Sequence, residues 1–256
     1  MSAREKRLDG KNALVTGAAR RIGRAIALAL AREGANVALH YSSSEEKAAE
    51  LTAELEGLGV RAVTLRADLS APEELAALVD RAHEALGAIE ILVNNASVFP
   101  SDTLETVELE GLQRNLEINA WAPLALTRAF AAQTERGHVV NLLDSRVSGF
   151  DRTHVSYILS KHVLAALTRM SALELAPGIA VNGIAPGLIL PPAGKDEEYV
   201  DRLARTVPLK RRGTPEDIAA AAIFLVTSEF VTGETIYVDG GRHLKENAPD
   251  GPDRNQ

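Results

Sequence analysis

Two features of this sequence could do chemistry. Tyr157 and Lys161, in the stretch SYILSK, are four residues apart, so a helix would place them on one face. An ammonium beside a phenol favours the phenolate, which predicts a lowered Tyr157 pKa and proton transfer near neutral pH. The second feature is TGAARRIG, where Gly17 and Gly23 occupy positions suited to a tight turn and a close helix contact. The position between them, where bare backbone would let a pyrophosphate lie close, holds Arg21, with Arg20 beside it. Cations are disfavoured at a helix N-terminus, so two arginines there predict an anionic ligand.

The elements that must position these residues are legible as an alternation. NALVT, ANVALHY, RAVTLRA, IEILVNN, HVVNLL, IAVNGIA and TIYVD read as strands, at 12–16, 35–41, 61–67, 89–95, 138–143, 179–185 and 235–239. Most are apolar on successive residues, the pattern of strands buried on both faces of a parallel sheet. Arg24–Glu33, Glu45–Leu58 and Pro72–Leu86 carry apolar residues at helical spacing, and Gly34, Gly59, Gly87 and Gly178 fall where a left-handed helix end is useful. The expectation is an α/β fold: one doubly wound Rossmann-type domain over 1–256, a seven-stranded parallel sheet flanked by helices. Residues 10–244 would form its ordered core, and the polar, proline-broken 245–256 a flexible tail.

In this fold the strands deliver the ligand-binding residues. Gly17 follows the first strand and Gly23 opens the next helix, the setting of a phosphate-binding turn. At the end of the second strand, LHYSSSEE presents His40, Tyr41 and Ser42 where an NAD-preferring site would have a carboxylate. With Arg20 and Arg21 this predicts room for the extra phosphate of NADPH. Asp68, after the third strand, could accept from an adenine amino group or cap the following helix.

Composition narrows the class of protein. Forty-six per cent of the 256 residues are hydrophobic, enough for a sizeable core, and the net charge is −7. That charge, with no basic patch interleaved with aromatics, predicts no nucleic-acid or anionic-membrane partner. No apolar run approaches the roughly 18 residues of a membrane span. Absent cysteines exclude disulfides and thiolate chemistry and suit a cytoplasmic location, and the six histidines show no metal-ligand spacing.

Taken together, the motifs resemble the short-chain dehydrogenase/reductase family over residues 10–244. They are the TGxxxxxG loop, ADL (67–69), NNA (94–96), Asn119 in LEINA, the Tyr157/Lys161 pair, PG (186–187) and VTGETIYVDGG (231–241). The resemblance implies that Tyr157 donates a proton, Lys161 binds the nicotinamide ribose, and Asn119 holds a relay water. Cofactor contacts are implied at Gly17, Arg20, Arg21, Ile22, Gly23, Leu69, Asn95, Ala96, Ser97, Pro186, Gly187 and Ile189.

Two positions depart from the family pattern. Thirteen residues before Tyr157, where the family has serine, stands Asp144; Ser145 is one residue off and on a strand would face the other way. Where a threonine often follows PG, this chain has Pro191. Both the arginine pair and Asp144 resemble the pteridine reductase branch of the family, as do NNASVF and the ending DGGRHL. That branch implies that Arg21 touches cofactor phosphate and pterin, that Ser97 lines the site, and that Phe99 sandwiches a pterin against nicotinamide.

The expectation is therefore an NADPH-dependent reductase of a dihydropterin C=N bond, with Asp144 as a proton reservoir for Tyr157. The competing expectations are a generic reductase of ketones or 3-oxoacyl thioesters, and a cofactor-binding sensor without catalysis. Glu108–Gln133 and Ser156–Ala176 are Ala/Leu-rich over more than one face, and with the family resemblance they predict a homotetramer.

Overall fold

The computed structural model describes residues 6–192 and 194–245. The expected tail therefore lies, from 246 onward, outside the described residues. Seven parallel strands form one sheet in the order β3-β2-β1-β4-β5-β6-β7. They are β1 (Asn12–Val15), β2 (Asn36–Tyr41), β3 (Ala62–Arg66), β4 (Ile91–Asn94), β5 (Gly137–Leu142), β6 (Ile179–Pro186) and β7 (Thr235–Val238). Each corresponds to an expected strand within a residue or two, because a sheet covered on both sides demands unbroken apolar runs.

Helices cover both faces. On one, α1 (Arg21–Arg32), α2 (Glu45–Glu56) and α8 (Pro215–Val226) bury Ile26, Leu30, Leu51, Leu55 and Ile218 against Val15, Val37 and Val93. On the other, α3 (Pro72–Leu86), α5 (Ala122–Gln133) and α6 (Val155–Leu175) bury Leu78, Leu126, Phe130 and Ala172 against Leu14, Leu92 and Val139. The short helices α4 (Leu109–Leu116) and α7 (Glu197–Ala204) lie outside this sandwich; α4 reaches α5 through a widened π turn at Glu117–Trp121. Such turns recur at functional sites, and Asn119 sits inside this one.

One expected glycine role is different. Gly34, Gly59 and Gly87 adopt positive φ, but Gly178 does not. It is small for contact, since a Cβ there would stand 2.4 Å from the Glu135 carbonyl oxygen. Chain order reverses between β1 and β4, so the C-terminal ends of these strands frame the crevice in which doubly wound sheets bind ligands.

Candidate active site

The glycine loop leaves the end of β1 with Gly17 at φ +62°, and a Cβ on Gly23 would approach the Gly17 carbonyl oxygen to 2.3 Å. Arg21 opens α1 at φ +57°, a left-handed conformation that glycine adopts without strain and arginine does not. Its guanidinium crosses the crevice to the Pro191 carbonyl at 2.9 Å, so the residue standing where threonine is usual meets Arg21 through its backbone. The exposed Arg20 occupies the N-cap of α1, which has neither a side-chain cap nor an acid in its first turn. The first N–H groups of α1 are thus left for an anion between two arginines, which fits a dinucleotide pyrophosphate. Ile22 packs behind the loop. Asn95 serves as its buttress: its amide donates to the Thr16 and Gly17 carbonyls, while Thr16 Oγ1 accepts from the Asn95 and Ala96 backbone N–H.

His40 has a different task from the expected cofactor contact. It is buried, its Nδ1 accepts from Gly17 N–H at 3.2 Å, and its Nε2 donates to the Ala67 carbonyl at 3.0 Å. Burial lowers its pKa, so the neutral ring ties the glycine loop to the end of β3. Tyr41 is likewise core, packed with Ala19 and Ala48. Of the three expected residues at the end of β2, Ser42 alone faces the cavity there, about 520 Å³ in volume and lined also by Arg66, Ala67, Asp68 and Glu74. Arg66, paired in register with Tyr41 at the end of β3, brings a further cation that no sequence motif marks. Asp68 Oδ1 accepts from Ser70 N and Oγ, bonds that hold its carboxyl below the ordinary range, and Leu69 is buried beneath α3.

Opposite the loop, α6 presents Tyr157 and Lys161, and the segment after β5 presents Asp144. The phenol donates to Asp144 Oδ2 at 3.1 Å. The expected roles of the Lys161 ammonium and of Asp144 toward the phenol meet a different geometry. Lys161 turns its ammonium to the Leu142 carbonyl at 2.7 Å, and burial pulls its pKa down to about 8. Tyr157 is instead pushed well above its ordinary value, first by burial and then by the Asp144 charge. Burial alone would push Asp144 up too, but Arg146 outweighs it and holds the carboxyl below the ordinary range. Asp144 is therefore an acceptor, and the proton of the pair sits on Tyr157. Ser145, as expected of a neighbour on an extended strand, points away into full burial.

Beyond the phenol lies Phe99, 39% exposed and so not a core residue. It meets Tyr157 edge-on at 4.5 Å and stacks on His154 at 4.1 Å with the planes 16° apart. His154 Nδ1 donates to Asp151 at 2.7 Å, and Asp151 also binds Arg146. This Arg146–Asp151–His154 cluster was not legible in the sequence. Next to it, Asp102 accepts from Ser156 N and Oγ, pinning the loop after β4 to the start of α6. Asn119 is fully buried with its side chain used by protein: it accepts from Ser97 Oγ and Val98 N, and donates to Val98 O, Asn115 and Ser160. A relay water would thus have to meet its backbone, and Ser97 is held at the rim by Asn119. Pro186 ends β6 and Gly187 follows it, where a Cβ would meet Asp239 Cα at 2.6 Å, and Ile189 is buried. Among the described residues no group of three possible metal ligands occurs, and no helix is long and apolar enough to cross a membrane.

This geometry, an open helix terminus facing a tyrosine–lysine pair across a parallel sheet, is that of a dinucleotide-dependent oxidoreductase. A family model described as enoyl-(acyl carrier protein) reductase matches residues 17–243. An L-rhamnose 1-dehydrogenase (NAD(P)(+)) from Sphingomonas sp. strain SKA58 is 34% identical over 93% of this chain and 98% of its own. A 3-oxoacyl-(acyl-carrier-protein) reductase from Staphylococcus epidermidis is 32% identical over 91% and 99%. In three dimensions, the crystal structure of an alternative dihydrofolate reductase 1 from Brucella canis, complexed with NADP, superposes with a TM-score of 0.91; it is 33% identical and covers 98% of this chain and 99% of that one. The chain belongs to the short-chain dehydrogenase/reductase family.

Proposed function

We propose that this protein is an NADPH-dependent reductase of a C=N bond in a dihydropterin, such as dihydromonapterin, dihydrobiopterin or dihydrofolate, acting in the cytoplasm as a single-domain subunit. The observation that carries this reading is the Asp144–Tyr157 pair beside the exposed ring of Phe99. A ketone oxygen gathers negative charge as it is reduced, and a carboxylate in the place of a hydroxyl donor would repel it. A pterin offers ring and amino N–H groups that a carboxylate accepts, and a flat ring system that Phe99 can stack on. The likeness to the Brucella canis dihydrofolate reductase complexed with NADP supports both the substrate class and the cofactor. The relatives that act on 3-oxoacyl thioesters and L-rhamnose favour the second reading, a carbonyl reductase.

Arg20, Arg21, Ser42 and Arg66 would hold the cofactor phosphates, and Lys161 with Tyr157 the nicotinamide ribose. The bound cofactor supplies a hydride to the ring carbon of the C=N bond. Tyr157 gives its phenolic proton to the neighbouring nitrogen, which takes up the π electron pair, and solvent returns a proton to Tyr157. Arg21 and Ser97 border the substrate's polar edge. Leu109, Trp121, Leu159, Val163, Met170 and Leu173 are exposed apolar residues on or between α4, α5 and α6, and we read these faces as contacts of a homotetramer. A strictly monomeric sedimentation profile at micromolar concentration would contradict that assembly.

Equilibrium titration tests the reading of the site. NADPH is expected to bind at least about tenfold more tightly than NADH, a modest demand for a charged phosphate contact. A 7,8-dihydropterin added to the NADP⁺ complex should then bind roughly 5- to 30-fold more weakly to Phe99→Ala than to wild type, the loss of one stacked ring. Equal affinities for the two cofactors, or a dihydropterin affinity indifferent to Phe99, would count against the proposal.

A further inference from the structure

The proposed reduction does not use the charged cluster behind Asp144, yet that cluster controls what Asp144 can be. Asp144 accepts once from Tyr157 but three times from Arg146: from its backbone N at 2.8 Å, Nε at 3.1 Å and Nη2 at 3.2 Å. The guanidinium bonds both carboxylate oxygens, and it is not free to swing away, because Nη1 is bound by Asp151. Asp151, itself 6% exposed, is fixed in turn by Thr153 N and Oγ1 and by His154. The side chains of Arg146 and Asp144 are 15% and 14% exposed, so solvent screens the pair weakly. The charged and titratable groups around Asp144 are Arg146 and Asp151 on its own loop, Tyr157 and Lys161 on α6, and Arg242 on the C-terminal turn. A carboxylate buried this far keeps its charge only while such partners hold it.

We propose that Arg146 is a positioning residue for the reaction: by gripping both oxygens of Asp144 it fixes the proton of the Asp144–Tyr157 pair on the phenol, the group that must give it up. The proposal rests on the reading of Tyr157 as proton donor. Arg146 acts through Asp144, and its guanidinium also lies over the Phe99 ring, 5.8 Å from the centroid. Without it, burial would favour the protonated Asp144, and the phenol would lose the carboxylate that orients it.

The test begins with a measurement that needs no substrate: the urea unfolding midpoint of Arg146→Met between pH 5 and 8, at one protein concentration. A carboxyl whose folded pKa is raised stabilises the fold while protonated and loses that contribution as pH rises through the folded value. The Arg146→Met midpoint should therefore fall by roughly 0.5 M or more across this range, given the free energy of one pKa unit and an ordinary urea slope. Adding Asp144→Asn should abolish the fall, which separates Asp144 from Asp151, and Arg146→Lys should restore the wild-type trend. The second readout is kcat/KM for a dihydropterin: flat from pH 5 to 7 in wild type, and in Arg146→Met declining roughly tenfold as pH falls and Asp144 takes up a proton. A midpoint that does not fall in Arg146→Met, or that falls equally with Asp144→Asn present, overturns the proposal. A wild type inert toward every pterin overturns the substrate reading instead, and leaves the unfolding result to decide this one.

Discussion

Replacing Tyr157 with phenylalanine is expected to lower NADPH-dependent turnover by about 10²- to 10⁴-fold, the range for losing a positioned general acid. Affinity for NADPH should change by less than about twofold, because one hydroxyl is removed from a cofactor site spread over many contacts. The size of the effect follows from the geometry around the phenol. Asp144 is held as a carboxylate by Arg146 and has no proton to give. Lys161 is bound to the Leu142 carbonyl and stands 5.7 Å from the Tyr157 ring centroid. Neither the Asp144 carboxylate nor the Lys161 ammonium is thus placed to substitute for the phenol. Phenylalanine keeps the edge-on contact with Phe99, so folding should be little affected. Steady-state kinetics and a cofactor titration on the same preparation check both halves. A variant retaining more than a tenth of wild-type turnover would mean that another acid supplies the proton.

The fold was more legible in the sequence than the site's electrostatics. Runs such as IEILVNN have one explanation, a strand buried on both faces, and β4 runs through its centre at Ile91–Asn94. The glycine loop was legible because only a turn with positive φ and a tight crossing explains Gly17 and Gly23. Spacing also placed Tyr157 and Lys161 on one helix, but it could not say where the ammonium would point. The ammonium donates to the Leu142 carbonyl, supplied by β5. His40 read as a ligand contact because it stands at a strand end; only packing shows both its nitrogens consumed within the protein. The Arg146–Asp151–His154 cluster had no periodicity to betray it. It lies at a short 3₁₀ turn at Ser145–Ser148 and next to a clamp between Asp102 and Ser156, a contact distant in sequence.

Substituting Asp144 by serine has the second largest expected effect, and it separates the two readings of the reaction. On the pterin reading the carboxylate keeps the phenol protonated, orients it, and accepts from the substrate's N–H groups. Serine does the last two poorly and leaves Arg146 without its partner, so dihydropterin turnover should fall about 10²-fold, the low end for general acid–base assistance. On the carbonyl reading serine restores the family's usual hydroxyl donor, and turnover of a ketone should hold or rise. NADPH oxidation by wild type and Asp144→Ser, assayed on both substrates, gives the comparison.

Turnover of competing substrates decides the substrate class. Wild-type enzyme should be assayed for NADPH oxidation with a 7,8-dihydropterin, dihydrofolate, a 3-oxoacyl thioester and a simple ketone under one set of conditions. A dihydropterin or dihydrofolate is expected to give the highest kcat/KM, by about 10²-fold or more over any carbonyl, since the carboxylate opposes an alkoxide and favours a ring nitrogen. A thioester or ketone reduced efficiently while every pterin remains unreduced would contradict that expectation.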